Sequence, residues 1–415
     1  MADVAAGFAR EPMNGAGILA LGFSDRFVQG LLLTGAPILF VDLIGDRSAI
    51  GVANALHFVT WIVLGVFAGT AADRWDRPTV IRWSSWLRLG IASVGAVLAA
   101  TGHLTPLTAV AVVVGLAASV VFTDTSLNAI LPATFAGRRL TDINARLGVV
   151  QAVAGVLAPV VAVLCVSSAP SGMFVAVAVA AVVTLCLSLR RFGSSQADRP
   201  RTAEVPVLSL RGFSLVLARP GLRSLLVGVT ILNLSGGAQL TLLPLVMLRE
   251  RGLSDGIYGI AMTGQAAGVI VGSLVVARLL RRSSARWTSI LAGSFGFKIV
   301  SLLCLALIPN VTGLLFGTAV NGFAIALWNT PASTLTLGLI HGSEAGTTLA
   351  SFKSLAMIGT PIGAFTGGLI AAQLPGATAL VSLAMFLTVG LATFARIQQG
   401  AGTDLRAVEG RLRTP

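Results

Sequence analysis

Charge is scarce in this sequence. Asp, Glu, Lys and Arg make up only 11% of its 415 residues, whereas hydrophobic residues make up 55%. The mean hydropathy is correspondingly high, at +0.88. A soluble domain needs a far more polar surface than this composition can supply. The sequence therefore excludes a soluble domain and is typical of an integral membrane protein.

Cysteine and histidine are also scarce, with three of each in the chain. The cysteines are Cys165, Cys186 and Cys304, and the histidines are His57, His103 and His341. They are scattered without paired spacing, which argues against a disulfide framework, a metal site and a membrane-embedded enzyme. The sequence also lacks a GxxxxGK phosphate-binding loop. We therefore expect no cofactor, and any energy the protein uses would come from an ion gradient, such as that of protons, and not from a nucleotide.

Long apolar runs are abundant. A run of about 20 residues crosses a hydrocarbon core of ~30 Å at ~1.5 Å per residue, and twelve such runs predict an all-α membrane protein with twelve spans. Their approximate bounds are 16–43, 50–72, 79–101, 106–132, 143–167, 172–190, 221–247, 257–278, 287–308, 312–340, 346–372 and 376–396. The first run is too long for the apolar segment of a signal peptide, so we expect it to remain as a helix.

Basic residues outnumber acidic ones by 29 to 16, which gives a formal net charge of +13. Most of them fall in the loops on one side of the predicted spans, and Arg47, Arg249 and Arg251 fall on the other side. The positive-inside rule then places both termini in the cytoplasm. We interpret the basic excess as topology and contact with anionic membrane lipids, and we expect no nucleic-acid partner.

The polar stretch 191–220 separates six predicted spans from six. It divides the chain into an N-terminal six-helix bundle at 1–190, a cytoplasmic linker at 191–220, a C-terminal six-helix bundle at 221–397 and a cytoplasmic tail at 398–415. The two bundles are predicted to be pseudo-symmetric.

Two prolines recur at matching places in the halves. Pro37 and Pro244 each follow a threonine by three residues, and Pro159 in VLAPVVAVL matches Pro361 in IGTPIGAFT. A parallel repeat of this kind is a known transporter plan, with the substrate site near the membrane midplane. The alternative is a chance alignment of Gly and Pro in apolar helices. We predict helix bends at the four prolines.

A charged motif, GTAADRWDRP at 69–78, follows the second apolar run. Gly69 would allow a neighbouring helix to approach closely, and Asp73 would accept hydrogen bonds from a helix N-terminus. Arg74 and Arg77 follow Asp73, and Arg77 would hold its carboxylate in place. The motif predicts a gate latch that forms in one state and breaks in the other. The alternative is an ordinary basic loop with incidental acids.

This motif resembles the loop signature of the major facilitator superfamily, although Asp76 stands where the signature usually has Gly. The resemblance implies the major facilitator fold, alternating access, and a latch that stabilises the outward-open state. The segments 23–51 and 127–160 resemble bacterial drug and siderophore exporters, such as those of macrolides or enterobactin. The antiporter signature of the fifth span is incomplete, because Ala158 and Pro159 are followed by VVAV.

Four ionisable residues lie near the middle of the predicted spans: Asp25, Arg26, Arg88 and Asp124. Such residues usually mark a functional site. Burial disfavours a charged carboxylate and a nearby Arg favours it, so displacement of the Arg would change protonation. These residues are our proton-coupling candidates. The alternative is a permanent ion pair that fixes helix packing, either Asp25 with Arg88 or Asp124 with Arg26.

Further polar residues within the spans are candidates for a substrate cavity. They are Gln151, Asn233, Gln239, Gln265 and Lys353. Each could instead bond a neighbouring helix, and Lys353 could extend to the cytoplasmic face. Lys298 also lies mid-span, where the sequence alone assigns it no partner.

Together, these features predict a secondary active transporter of a bacterial cytoplasmic membrane. It would export amphipathic small molecules, such as drugs, natural products or siderophores, by alternating access with proton antiport. Its expected partners are the substrate, protons and anionic lipids, and we expect a monomer that is not an enzyme. An importer or a lipid flippase of the same fold, and a receptor that does not transport, are the alternatives.

Overall fold

A computed structural model of the protein describes residues 15–135, 137–189, 210–281, 287–340 and 345–401. Helices make up almost all of these residues, and the described part contains no strand. Most of the predicted linker, and the predicted tail beyond residue 401, lie outside the described residues.

The first six helices account for the N-terminal half of the described chain. They are α1 Gly15–Leu43, α2 Arg47–Arg74, α3 Arg77–Ala100, α4 Pro106–Thr134, α5 Gly137–Ser168 and α6 Gly172–Ser188. The later helices are α7 Leu210–Ala218, α8 Pro220–Pro244, α9 Asp255–Arg281, α10 Trp287–Leu307, α11 Val311–Leu339, α12 Ala345–Met357, α13 Gly359–Gln373 and α14 Gly376–Gly400. A π-helical turn, Leu245–Glu250, continues α8.

Within the described residues, eleven stretches are long and apolar enough to cross a membrane. One of them, Ser351–Gln373, runs through α12 and α13. The position of the sixth predicted span holds α6, an apolar helix of 17 residues, which at ~1.5 Å per residue is about 26 Å long. The number twelve and the cytoplasmic placement of the termini stay predictions.

Polar residues just before two helices explain where these helices begin. Asn310 accepts a hydrogen bond from the Gly313 amide at 3.1 Å, which caps α11. At the start of α2, Asp46 accepts from the Ser48 hydroxyl and from the Ala49 amide, the latter at 2.8 Å. The hydrogen bond from Ser48, and to a smaller extent that from Ala49, holds the pKa of the exposed Asp46 carboxyl below its usual value.

The described residues divide into two compact units. The first unit takes those within Met1–Leu43 and Thr60–Glu204, and the second takes those within Ile44–Val59 and Val205–Pro415. The first turns of α2 therefore pack with the second unit, whereas the rest of α2 is grouped with the first.

Four pairs of helices recur at corresponding places in the two units. In the first unit, α1 contacts α5 and α6, and α3 contacts α4 and α6. In the second, α8 contacts α13 and α14, and α10 contacts α11 and α14. Counted from the first membrane helix of each half, these are the same four pairs. This correspondence supports the internal repeat that the proline pattern predicts.

Glycine permits the close packing of α8 against α13. A Cβ added at Gly237 would collide with the Thr360 carbonyl oxygen, and one added at Gly363 would collide with the Leu234 carbonyl oxygen. Small residues that let helix backbones approach are the usual basis of helix association in membranes.

The four prolines occupy different positions in their helices. Pro37 lies inside α1 and Pro159 inside α5, whereas Pro244 ends α8 just before the π-helical turn. Pro361 lies in the first turn of α13, and the predicted eleventh span is interrupted at Ile358, between α12 and α13. Proline lacks an N–H donor, so Pro361 cannot make the usual helical bond four residues back. The bends themselves stay predictions.

Candidate functional site

A buried ion pair joins α1 and α3 in the first unit. The Arg88 Nη2 atom lies 2.9 Å from the Asp25 Oδ1 atom, and the two side chains are 0% and 2% exposed. Arg88 also donates to two hydroxyls of α4, from Nε to Ser119 at 3.2 Å and from Nη2 to Thr123 at 3.1 Å. Of the two ion pairs that the sequence suggests, the Asp25 and Arg88 pair is therefore present.

Gln29 links this pair to Arg26. One turn after Asp25, the Gln29 amide donates to Asp25 Oδ2 at 3.0 Å, and its oxygen accepts from Arg26 Nη1 at 2.9 Å. Gln29 is buried, whereas Arg26 is exposed. Through these two hydrogen bonds, the Gln29 side chain connects a buried acid, Asp25, with an exposed base, Arg26.

Asp124 of α4 completes the cluster. Its carboxylate is half-buried, accepts from Asn128 at 3.1 Å, and lies within electrostatic reach of Asp25 and Arg26. The structure therefore brings together the four proton-coupling candidates, Asp25, Arg26, Arg88 and Asp124, and their roles in coupling stay predictions. We call these residues with Gln29 the acidic cluster.

Loss of either charge of the buried pair would be costly in free energy. Removing one member of a buried ion pair leaves an uncompensated charge, which typically costs about 3–5 kcal/mol. Arg88 Nη1 makes no hydrogen bond within the described part of the chain, so the guanidinium has a donor to spare.

The charged motif at 69–78 spans the end of α2 and the start of α3. Asp76 caps α3, where its carboxylate accepts from the Thr79 amide at 3.2 Å and from the Thr79 hydroxyl at 2.8 Å. A glycine at this position would provide no such side-chain cap. Helix capping therefore explains why an acid stands at the place where the family signature usually has Gly.

The remaining motif residues have separate surroundings. Arg77 donates to the Ala129 carbonyl of α4 at 2.8 Å, and Arg74 is exposed. Apart from the local backbone of its own helix, no described atom lies within 4 Å of the place where a Cβ of Gly69 would stand, and the close approach of a neighbouring helix stays a prediction. The Asp73 side chain lies outside the described part, and the latch stays a prediction.

A second polar cluster lies in the second unit around Lys298 of α10. The ammonium group is buried, with the side chain 4% exposed. It donates to Gln239 Oε1 of α8 and to Asn321 Oδ1 of α11, the latter at 2.6 Å. Asn321 in turn donates to Gln265 Oε1 of α9 at 2.8 Å. Four helices thus converge on one lysine.

A cavity of about 240 Å³ adjoins this cluster. Its walls include the polar side chains of Gln239, Gln265 and Lys298, together with Tyr258 and Trp328. Leucine, methionine and isoleucine side chains from α8, α9 and α11 provide apolar walls. A pocket with an apolar lining and a few convergent polar groups is the usual form of a small-molecule site.

The predicted cavity candidates separate into two groups. Gln239, Gln265 and Asn233 line the cavity, although the Asn233 amide also donates to the Ala356 carbonyl at 2.8 Å. Lys353 is exposed on α12, and Gln151 is half-buried on α5 in the first unit. Neither of these two lines the cavity.

Sequence reasoning missed several members of both clusters. Gln29 stands four residues after Asp25, and Thr123 stands four residues after Ser119, so each pair shares one face of a helix. Helical spacing of polar residues was therefore the available signal. The spacing offers no such signal for Asn321, which meets Lys298 only through packing of α11 against α10.

Comparison with known proteins gives matches to transporters. The Major Facilitator Superfamily matches residues 225–404. Uncharacterised MFS-type transporters of Mycobacterium bovis and Mycobacterium tuberculosis are 35% identical to the chain over 132 residues, which is 31% of this chain. The match spans only 29% of the length of these curated relatives.

Solved structures share the fold over nearly the whole chain. A bacterial homolog to the human lysosomal transporter Spinster, in an inward-facing and occupied conformation, has a TM-score of 0.73 at 15% identity, with 93% of this chain and 96% of that chain covered. The nucleoside transporter NupG has a TM-score of 0.66 at 15% identity, with 93% and 99% covered. The C-terminal part of the chain is therefore similar to the Major Facilitator Superfamily, and the whole chain shares its fold with solved structures of membrane transporters.

Proposed function

We propose that this protein is a proton-coupled exporter of amphipathic small molecules, such as drugs, natural products or siderophores, in a bacterial cytoplasmic membrane. The observation that carries the proposal is the acidic cluster, in which Asp25 pairs with the fully buried Arg88 guanidinium and the half-buried Asp124 lies within electrostatic reach of Asp25. The protein acts as a monomer among anionic lipids and alternates between a state open to the cytoplasm and a state open to the outside.

The composition of the cluster favours coupling over a static pair. A purely structural pair needs one acid for each buried base, and Asp25 already neutralises Arg88. Asp124 is a second acid, half-buried beside the first. Because ionisable groups inside a membrane are expensive, a second acid outside the buried pair, with the exposed Arg26 as its positive neighbour, supports a functional role.

The chemistry of exchange follows from competition for the carboxylates. A substrate group that takes the place of Arg88 or Arg26 at a carboxylate keeps that carboxylate charged. When the substrate leaves, the buried carboxylate has no such partner and takes up a proton, because desolvation penalises the charged form. Substrate and proton then exclude each other, and the proton gradient supplies the energy.

The motif at 69–78 would control the alternation. We assign to Gly69, Asp73, Arg74 and Arg77 a latch that stabilises the outward-open state, with Arg77 anchored on α4 through the Ala129 carbonyl. This hydrogen bond from Arg77 would keep the motif in place while the latch forms and breaks.

The test is proton movement in inside-out vesicles that contain the protein, followed with a pH-sensitive dye. The panel consists of hydrophobic cations, macrolides, siderophores and lysolipids. The variants are Asp25→Asn and Asp124→Asn, and the matched control is Asp142→Asn, which changes an exposed acid of α5. Asp25→Asn combined with Arg88→Gln serves where the single change fails to fold.

We expect one chemical class to release protons from the vesicle lumen in the parent protein and in Asp142→Asn. The flux should disappear in Asp25→Asn or in Asp124→Asn, because one carboxylate carries the exchanged proton. An unchanged flux and pH dependence in both variants would refute the coupling. Tight binding of a compound without any flux would support the receptor alternative instead.

A further inference from the structure

We propose that the cavity beside Lys298 binds an anionic group, a carboxylate or a phosphate, carried by an apolar substrate. This inference deepens the proposed function, on which its role in transport rests, by naming the charge of the substrate. The binding site itself is tested without transport.

The first argument is the missing counter-charge. Lys298 is buried, and among the described residues its ammonium donates to two amide oxygens, those of Gln239 and Asn321. The described residues that line the cavity include no Asp or Glu. A buried charge needs a partner of opposite sign, and an anionic ligand would supply one.

The second argument is the direction of the hydrogen bonds. Lysine can only donate, so Gln239 and Asn321 must turn their oxygens toward it and their NH₂ groups away. Asn321 passes its donor to Gln265 Oε1, which leaves the Gln265 NH₂ group as a donor at the end of the chain. The lysine therefore orients the amides so that they present N–H groups.

The third argument is the presence of unused donors. Gln239 Nε2 and the Tyr258 hydroxyl are buried without a hydrogen-bond partner in the described part of the chain. Both residues line the cavity, and their side chains are 3% and 0% exposed. A buried polar group without a partner is unfavourable. An ammonium that has two amide acceptors but no negative partner among the described residues, next to an amide and a phenol without acceptors there, forms a site suited to an anion.

The fourth argument is the comparison of the two halves. The third membrane helix of each half carries a buried cation that bonds the first: Arg88 of α3 meets Asp25 of α1, and Lys298 of α10 meets Gln239 of α8. Only the first half provides an acid. The position of the counter-charge in the second half is therefore open to a ligand.

The walls indicate the rest of the substrate. Leu240, Leu243, Met262 and Trp328 line the cavity around the polar end. A volume of about 240 Å³ accommodates an anionic group with a ring or a short chain. The ligand chemistry is thus an anion attached to an apolar body, from a small acid or from a lipid headgroup.

The test is equilibrium binding to the full chain in nanodiscs of zwitterionic lipid, by calorimetry. Naphthalene-1-acetate and its neutral amide form one probe pair, and lysophosphatidate with lysophosphatidylcholine forms the other. The variants are Lys298→Met, which keeps a similar volume without charge, and Tyr258→Phe, which removes only the unpartnered hydroxyl. Arg223→Gln removes an exposed positive charge from the same unit as a control.

We expect at least one anionic probe to bind the parent protein and Arg223→Gln about tenfold or more tighter than its matched partner. Lys298→Met should weaken that binding by about 10- to 100-fold, as expected for the loss of a charge-assisted hydrogen bond. Tyr258→Phe should weaken it by several-fold and leave the thermal stability unchanged or higher. The probe pair that responds identifies a small acid or a lipid headgroup as the source of the anion.

Equal binding of both members of each pair, or an affinity unaffected by Lys298→Met and Tyr258→Phe, would overturn the proposal. The proposed function fails separately. If the only compounds that drive proton flux bind equally well to Lys298→Met, the proposed exporter function stands and the anion site is rejected. Anion binding that depends on Lys298 without any proton flux would do the reverse.

Discussion

At the scale of single residues, the buried pair of Asp25 and Arg88 makes a prediction about stability. Asp25→Leu and Arg88→Met each leave one charge buried alone, and each should destabilise the protein by about 3–5 kcal/mol. The double variant removes both charges, so it should lose much less than the sum of the two. Thermal unfolding of the purified protein in mild detergent measures this coupling.

Activity in the same variants separates packing from chemistry. The double variant should fold well, and a loss of proton exchange in it would assign the exchanged proton to Asp25, not to Asp124. Additive losses of stability would contradict the ion pair, and normal proton exchange in the double variant would contradict a coupling role for Asp25.

The sequence allowed the charged members of this cluster to be predicted, because Asp25, Arg88 and Asp124 stand out in apolar helices. It did not identify Gln29 or Ser119 as partners. Uncharged polar residues are common in membrane helices, and their partners depend on which helix faces pack together.

Lys298 shows the same limit more clearly. Its position in the middle of a span was evident from the sequence, but its partners Gln239 and Asn321 come from two other helices. No local spacing relates these residues, so only the packed structure reveals the cluster.

At the scale of helices, the first turns of α2 are fastened to the second unit. Arg47 pairs with Glu250 at 2.6 Å, and Glu250 also accepts from the Gly376 amide at 2.9 Å. Arg249 donates to the Gly45 carbonyl at 3.0 Å. Each of these half-exposed contacts contributes little to the free energy of unfolding, but together they fix the position of the first turns of α2.

Close backbone contact is the sterically demanding part of this arrangement. A Cβ at Gly368 of α13 would lie 2.6 Å from the Gly51 Cα atom of α2 and 2.9 Å from its amide nitrogen. Nearby, Asn54 of α2 donates to the Thr241 hydroxyl at 3.3 Å. A backbone cannot yield as a flexible side chain can, so this position requires glycine.

We predict that Gly368→Val separates the first turns of α2 from α13. Overpacking at this contact costs about 1–3 kcal/mol. It should therefore raise the population of molecules in which α2 is separated from α13 about 5- to 150-fold. An Asn54→Cys probe, in a protein with the three native cysteines replaced by Ala, should therefore react with a membrane-impermeant maleimide about tenfold faster or more.

The matched control is Gly65→Val on α2, where no described atom lies within 4 Å of an added Cβ. It should leave the labelling of Asn54→Cys slow. Equal labelling in Gly368→Val and Gly65→Val would contradict the close contact.

Helices were largely predictable, since length and apolarity determine where a chain can cross a membrane. Three features were not predicted: α7 within the stretch taken as a linker, the π-helical turn after Pro244, and the interruption at Ile358. Each depends on local hydrogen bonding, which hydropathy does not report. The proline at 361 did indicate the region of the interruption, although not its residue.

At the scale of the whole molecule, the transporter fold was predictable and the direction of transport was not. The loop motif and the repeat resemble the major facilitator superfamily, and the chain shares its fold with solved structures of transporters over nearly its whole length. Function depends on sites placed on a fold, and one fold supports many substrates and both directions. Exchange of substrate for protons therefore needs a direct measurement.

The measurement that tests this claim most directly is the uptake of the active compound into proteoliposomes under an imposed pH gradient. When the lumen is acidic, the protein should raise the concentration of the compound in the lumen above that outside. Nigericin, or Asp25→Asn combined with Asp124→Asn, should abolish this accumulation. Uptake into empty liposomes is subtracted, because a weak base accumulates in an acidic lumen even without the protein. Uptake that is indifferent to the gradient, or that requires an acidic exterior, would contradict proton antiport.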